Sequence, residues 1–97
     1  MKHVIALDVS KRKSTIVIYD RYKQCEFEGE LDHTRVDFEQ LHQRIEEIAA
    51  LDGQAPEIVF EATGVYSKQV EKFLRDYGHT YCRMNPIEAH LQMASMR

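Results

Sequence analysis

The run His3-Val4-Ile5-Ala6-Leu7 is apolar at nearly every position, closes on Asp8 and is too short to make a helix. A strand with one wet face alternates apolar and polar residues. A run without alternation, rich in β-branched residues, is a strand covered on both faces and belongs in the middle of a layered sheet. The chain has 97 residues. A domain of that size buries roughly 60 to 65% of its unfolded surface, enough for one core but not for a catalytic domain plus a separate substrate domain.

Around this central strand the remaining elements follow from periodicity. Ser14-Thr15-Ile16-Val17-Ile18-Tyr19 is a second strong β-former, and Cys25-Glu26-Phe27-Glu28-Gly29 alternates weakly enough to be an outer strand. Three strands on short connectors make an antiparallel meander. The period then changes: Phe38, Leu41, Ile45, Ile48 and Leu51 recur at three- and four-residue steps, which predicts an amphipathic helix. Thr34 offers its N-cap, Gly53 its left-handed stop, and Pro56 bars continuation. Glu57-Ile58-Val59-Phe60-Glu61 is a short buried strand, and a second helical pattern runs through Tyr66, Val70, Phe73, Leu74 and Tyr77 to Gly78. Thr80 to Met84 is a last strand, and Asn85-Pro86 opens a third helix with Asn as N-cap and Pro at the first helical position. The order β-β-β-α-β-α-β-α predicts an α/β fold, a mixed sheet in which the meander is followed by parallel strands joined by right-handed helical crossovers.

In such a sheet the first strand and the strand ending in Glu61 can lie side by side. Asp8 and Glu61 then both emerge at carboxyl ends of parallel strands, the edge where α/β folds place their ligands. Carboxylates clustered there suit Mg²⁺ or Mn²⁺, which prefer oxygen donors and serve phosphodiester cutting or transfer. A plainer reading has Asp8 capping the loop after its strand and Glu61 as a solvated acid at a turn. Spacing alone leaves both readings open.

Sixteen acidic against thirteen basic side chains give a net charge of -3, so any polyanion has to meet a local basic patch and not the field of the whole chain. Lys11, Arg12 and Lys13 form the one dense basic run, on the turn after Asp8, with Arg21 and Lys23 on the next turn of the meander. They fit an ordinary solvated hairpin or sequence-independent contacts to a nucleic-acid backbone. Thr63 and Gly64 precede a helix, where their amides either simply start it or receive a phosphate. His3, His33, His42, His79 and His90 include no pair at the short spacing of a zinc site and read as surface or packing residues. Tyr66, Phe73 and Tyr77 read as core, while Tyr19, Tyr22 and Phe27 fit either core or base stacking. Cys25 and Cys82 stand far apart, and no apolar run is long enough to cross a membrane. A reducing cytoplasm is the expected location, with no membrane partner.

Three elements of this sequence, taken together, carry a family resemblance: Ala6-Leu7-Asp8-Val9-Ser10-Lys11, Glu61-Ala62-Thr63-Gly64-Val65-Tyr66, and Asn85-Pro86. In order and spacing the chain resembles the amino-terminal domain of the DEDD transposases of bacterial insertion sequences, the group that includes the Piv-type DNA invertases. The resemblance implies a RuvC-like, ribonuclease H-type fold with four metal-binding acids, of which Asp8 matches the first and Glu61 the second. Lys11 matches the element after the aspartate. The resemblance further implies metal-dependent recombinase chemistry on DNA with Mg²⁺ or Mn²⁺, and a structured guide RNA as a partner. Ala6 stands where a glycine is common. The third and fourth acids, and the domain with a serine implicated in strand transfer, are expected beyond Arg97. Residues 1–97 then form the amino-terminal part of a catalytic domain, inactive alone. The last helix, whose apolar stripe holds Ile87, Leu91 and Ala94 with Met93 and Met96 nearby, is expected either to pack against a second copy in a homo-oligomer or to be the least ordered element of the chain.

Two other classes stay open. One is an actin-like or sugar-kinase ATPase half-domain, which also begins with a strand-end aspartate. Its phosphate hairpin needs glycine close after that acid, and Val9-Ser10-Lys11 offers none. The other is a non-catalytic assembly module.

Overall fold

The computed structural model describes residues 2–61 and 66–84. Its strands are β1 (Val4–Val9), β2 (Lys13–Tyr19), β3 (Cys25–Asp32), β4 (Glu57–Glu61) and β5 (Cys82–Met84), and its helices are α1 (Arg35–Asp52) and α2 (Ser67–Asp76). One sheet contains all five strands in the order β3-β2-β1-β4-β5. β1 pairs antiparallel with β2, and β2 with β3, while β1–β4 and β4–β5 are parallel. This is the predicted meander followed by parallel strands. The third helix, expected from Asn85, lies outside the described residues together with its apolar stripe.

The unalternating first run does sit at the centre. Ile5 and Leu7 are fully buried, and Ala6, which points the other way, is 3% exposed. Ile5, Leu7, Ile18, Ile58 and Phe60 join α1 and α2 in the larger core, into which α1 inserts Leu41, Ile45 and Ile48, and α2 inserts Val70, Phe73 and Leu74. Ala6, Val17, Tyr19 and Val59 form a separate buried cluster on the opposite face. Burying each large aliphatic side chain stabilises the fold by roughly 1.5–3 kcal/mol. The central strand therefore contributes from both faces.

Local signals set the helix ends. Thr34 is the N-cap of α1, its side chain accepting from the Asp37 N–H at 3.3 Å, and Gly53 closes the helix in the left-handed region at φ 70°. Gly78, at φ 75°, does the same after α2. The 3.6-residue period drifts against three-residue steps, and Leu51 ends up 77% exposed instead of extending the apolar stripe.

Several boundaries differ from expectation. β1 does not end at Asp8, because Asp8 and Val9 still pair with Thr15 and Ser14. β3 runs past Gly29 to Asp32, carried by pairing with the start of β2, and β5 begins at Cys82 and not at Thr80. Tyr66 and Tyr77 are 43% and 39% exposed, so of the α2 aromatics only Phe73 is core. Among the meander aromatics Tyr19 is buried, Tyr22 is exposed, and Phe27 is partly buried under the Arg44 guanidinium, 4.2 Å from its ring centre.

The amino-terminal end of the parallel strands is tied by His3. Its backbone N–H and Nδ1 meet Asp52 Oδ2, Nε2 meets Glu26 Oε2 at 3.0 Å, and its carbonyl accepts from the Glu57 N–H. Burial pulls the His3 pKa down, but hydrogen bonds to Asp52 and Glu26 outweigh it, and the net direction is up. The hydrogen bond from His3 holds Asp52 below the usual carboxylate range.

Candidate functional site

The β1–β4 register sets Ala6 opposite Val59 and Leu7 opposite Phe60. The same offset carried one residue further sets Asp8 opposite Glu61. Partners in a parallel pair share a face, and these two have the parity of Ala6 and Val59, so both carboxylates lie on the face away from α1 and α2. Neighbouring strands are about 4.8 Å apart. Asp8 is exposed and Glu61 half-buried, and neither side chain makes a hydrogen bond or ion pair among the described residues.

On the same row, Asp8 pairs with Thr15 and Thr15 with Glu30. Glu30 is a third carboxylate on this face, but its Oε2 is 2.7 Å from Lys13 Nζ. Lys13 is thereby committed within the meander. The turn between β1 and β2 is closed by Ser10, whose N–H and hydroxyl both donate to the Lys13 carbonyl, at 2.9 and 2.7 Å. Lys11 and Arg12 stand exposed at its tip, without ion pairs among the described residues. The backbone of Arg12 is anchored by the His33 N–H, which donates to its carbonyl. Arg21 and Lys23 do not join them: an antiparallel meander puts consecutive turns at opposite ends, so that pair lies beyond the His3 end of the sheet. There the Asp20 carboxylate accepts from the Tyr22 and Gln24 N–H groups to shape the turn. Thr63 and Gly64 lie outside the described residues.

His33 packs beside this edge, with Nε2 2.8 Å from Ser14 Oγ and its ring stacked 5.8 Å from that of Phe38. Burial pushes its pKa down, against a smaller opposing effect of the nearby Gln69 side chain and the Asp32 charge. On the helical side lies a cluster that a search for close histidine pairs overlooks: His42, Glu46 and His79 bring one nitrogen or oxygen donor each within 4.8 Å of one another. Burial lowers the pKa of His79, and the His42 charge adds to that effect. The signal present in the sequence was the four-residue step from His42 to Glu46, which places both on one face of a helix. Its third member is 37 residues from His42 in sequence.

Comparison with known proteins fits this architecture. A family model for DEDD transposases of the IS110 type, described as "Transposase", matches residues 5–97. A search of the curated proteins found no match. RuvC of T. thermophilus, solved in complex with a Holliday junction substrate, is similar with a TM-score of 0.52 at 8% identity, over 90% of this chain and 66% of RuvC. A Bacteroides thetaiotaomicron protein described as having an actin-like ATPase fold and unknown function is similar with a TM-score of 0.53 at 13% identity, over 94% of this chain and 37% of that one. The chain thus spans less than two thirds of either structure. At such identities the likeness shows the shared fold alone, a ribonuclease H-like mixed sheet.

Proposed function

For this chain, which belongs to the DEDD transposase family, we propose a role as the amino-terminal part of a metal-dependent domain that cuts and rejoins DNA. The observation that supports this reading is the parallel β1–β4 register, which runs to Leu7–Phe60 and, carried one residue further, brings Asp8 beside Glu61 near the carboxyl ends of the two strands, without hydrogen-bond or ion-pair partners among the described residues. Two hard oxygen donors about one strand spacing apart fit Mg²⁺ or Mn²⁺, since paired ions in such sites lie about 4 Å apart. When bound, such ions polarise the scissile phosphate and lower the pKa of the attacking oxygen. Asp8 and Glu61 supply two of the four acids that the family resemblance implies, and residues 1–97 are read as inactive without the other two.

The chain's own residues then divide the work. Rigid β1 and β4 hold the two carboxylates in register, leaving them no internal partner among the described residues to compete with a cation. Lys11 and Arg12, on a turn pinned by Ser10 and His33, contact the phosphate backbone beside the acids. Lys13 contributes less, being held by Glu30. Thr63 and Gly64 are the further phosphate contacts in this reading, with guide RNA and a second copy of the chain as partners in the cytoplasm. Among the described residues no helix is long and apolar enough to cross a membrane.

The ATPase reading is disfavoured by the turn after Asp8. Its residues Ser10 to Lys13 all carry a Cβ, and the Ser10 amide is already committed to Lys13, so the backbone is poorly placed to approach a polyphosphate. The test is Mn²⁺ titration followed by NMR line broadening. Broadening centred on Asp8 and Glu61 and lost in Asp8→Asn is expected; broadening that ignores this substitution would remove the site.

A further inference from the structure

We propose that His42, Glu46 and His79 form a second metal site, one that takes a divalent transition-metal ion of the Zn²⁺ type. It is independent of the carboxylate edge and on the other side of the sheet. His42 Nδ1 is 2.8 Å from His79 Nε2 and 3.9 Å from Glu46 Oε1. One imidazole nitrogen thus faces both other donors. Donors about 2.0–2.2 Å from a tetrahedral Zn²⁺ are roughly 3.3–3.5 Å apart. The first distance has to open, and the second to close, by about half an ångström, which side-chain rotation supplies.

The cluster is already positioned. His42 and Glu46 are one helical turn apart on α1, a rigid element of 18 residues. His79 is fixed by the left-handed Gly78 and by its own N–H, which donates to the Leu74 carbonyl at 2.8 Å. Tyr77 packs edge-on against His42 with ring centres 4.6 Å apart, and Phe73 and Tyr77 both pack against the His79 ring. In the absence of an ion, one N–H···N hydrogen bond joins the two imidazoles. A cation takes its place and recruits Glu46.

The donor types select the ion. Two imidazoles and one carboxylate suit Zn²⁺ and its neighbours in the first transition series, whereas Asp8 and Glu61 offer oxygen alone and suit Mg²⁺ or Mn²⁺. Three protein ligands leave a fourth position for water, and Glu46 lies exposed toward solvent. The ion would strap α1 to the connection between α2 and β5, and it stabilises the folded chain by mass action.

The experiment adds Co²⁺, the spectroscopic stand-in for Zn²⁺, to the chain and repeats the titration with Zn²⁺ by calorimetry. One equivalent is expected to bind with the visible absorption of nitrogen- and oxygen-ligated Co²⁺ and to raise Tm. His79→Gln and Glu46→Gln are each expected to weaken binding by at least about tenfold, the lower bound seen even for groups that only orient a ligand. Asp8→Asn is expected to leave the nitrogen-ligated Co²⁺ absorption unchanged, whatever it does to cation binding at the carboxylate edge. Glu46 is exposed, so its substitution keeps the test valid if the His79 variant folds poorly. An affinity indifferent to both substitutions, a loss of the nitrogen-ligated absorption in Asp8→Asn, or a sulfur-to-cobalt charge-transfer band from Cys25 or Cys82 would each overturn the proposal.

Discussion

The two ends of the parallel strands treat their carboxylates in opposite ways. At the amino-terminal end, Asp52 and Glu26 both meet the buried His3, which links the start of β1 to the end of α1 and to β3. At the carboxyl-terminal end, Asp8 and Glu61 have the parity of one face of adjacent strands, and neither has a hydrogen-bond or ion-pair partner among the described residues. A paired carboxylate stabilises the chain that holds it. Two like-charged neighbours repel one another unless a cation intervenes, so the first end serves the fold, and the second is the end to which our proposal assigns the function.

Asp8→Asn or Glu61→Gln breaks the contrast most directly. Either substitution in a protein carrying the complete set of acids is expected to reduce DNA recombination at least about 100-fold, or ~2.7 kcal/mol of transition-state stabilisation. Without metal, Tm of residues 1–97 should stay level or rise, because repulsion is relieved. A clear fall in Tm would make Asp8 a structural residue.

His3→Gln should do the reverse, lowering Tm by several degrees without weakening Mn²⁺ binding. Its pH dependence has a definite sign. His3 titrates above the ordinary imidazole value of 6.5, so its contribution is full below that value and fades as pH rises through the raised pKa. Asp52 titrates below the ordinary 3.8, and its contribution is present above that value and fades as pH falls through the lowered pKa. The stability difference between wild type and His3→Gln should therefore be widest between these limits. A difference that grows toward alkaline pH would show that burial, and not the acid pair, governs His3.

The smallest effect belongs to the exposed turn. Lys11→Ala with Arg12→Ala should weaken DNA binding by the protein with the complete acid set and reduce the slope of log K against log salt by about 0.9 for each phosphate that is no longer neutralised. The same pair of substitutions at Arg21 and Lys23, at the opposite end of the sheet, should leave that slope unchanged. Equal effects at the two turns would mean that the chain binds DNA without regard to the acid edge.

Much of this was legible in the chain because the causes are local. Apolar runs of five or six residues, a switch from unbroken to 3.6-residue periodicity, the Thr34 cap and the left-handed Gly53 and Gly78 each act over a few residues, and each appears where the sequence places it. The parallel adjacency of β1 and β4 was legible too, because a parallel crossover leaves few arrangements for two such strands. Other features depend on which strand lies beside which. Only the sheet register shows that both acids face away from the helices, that Lys13 is occupied by Glu30, and that Arg21 and Lys23 are at the far end. The His3 tie and the His42–Glu46–His79 cluster join residues from 23 to 49 positions apart, as His3–Glu26, His42–His79 and His3–Asp52 show. Periodicity carries no record of contacts at that range. They arise when α1 and α2 pack on one face of the sheet and bring together side chains that the sequence keeps apart.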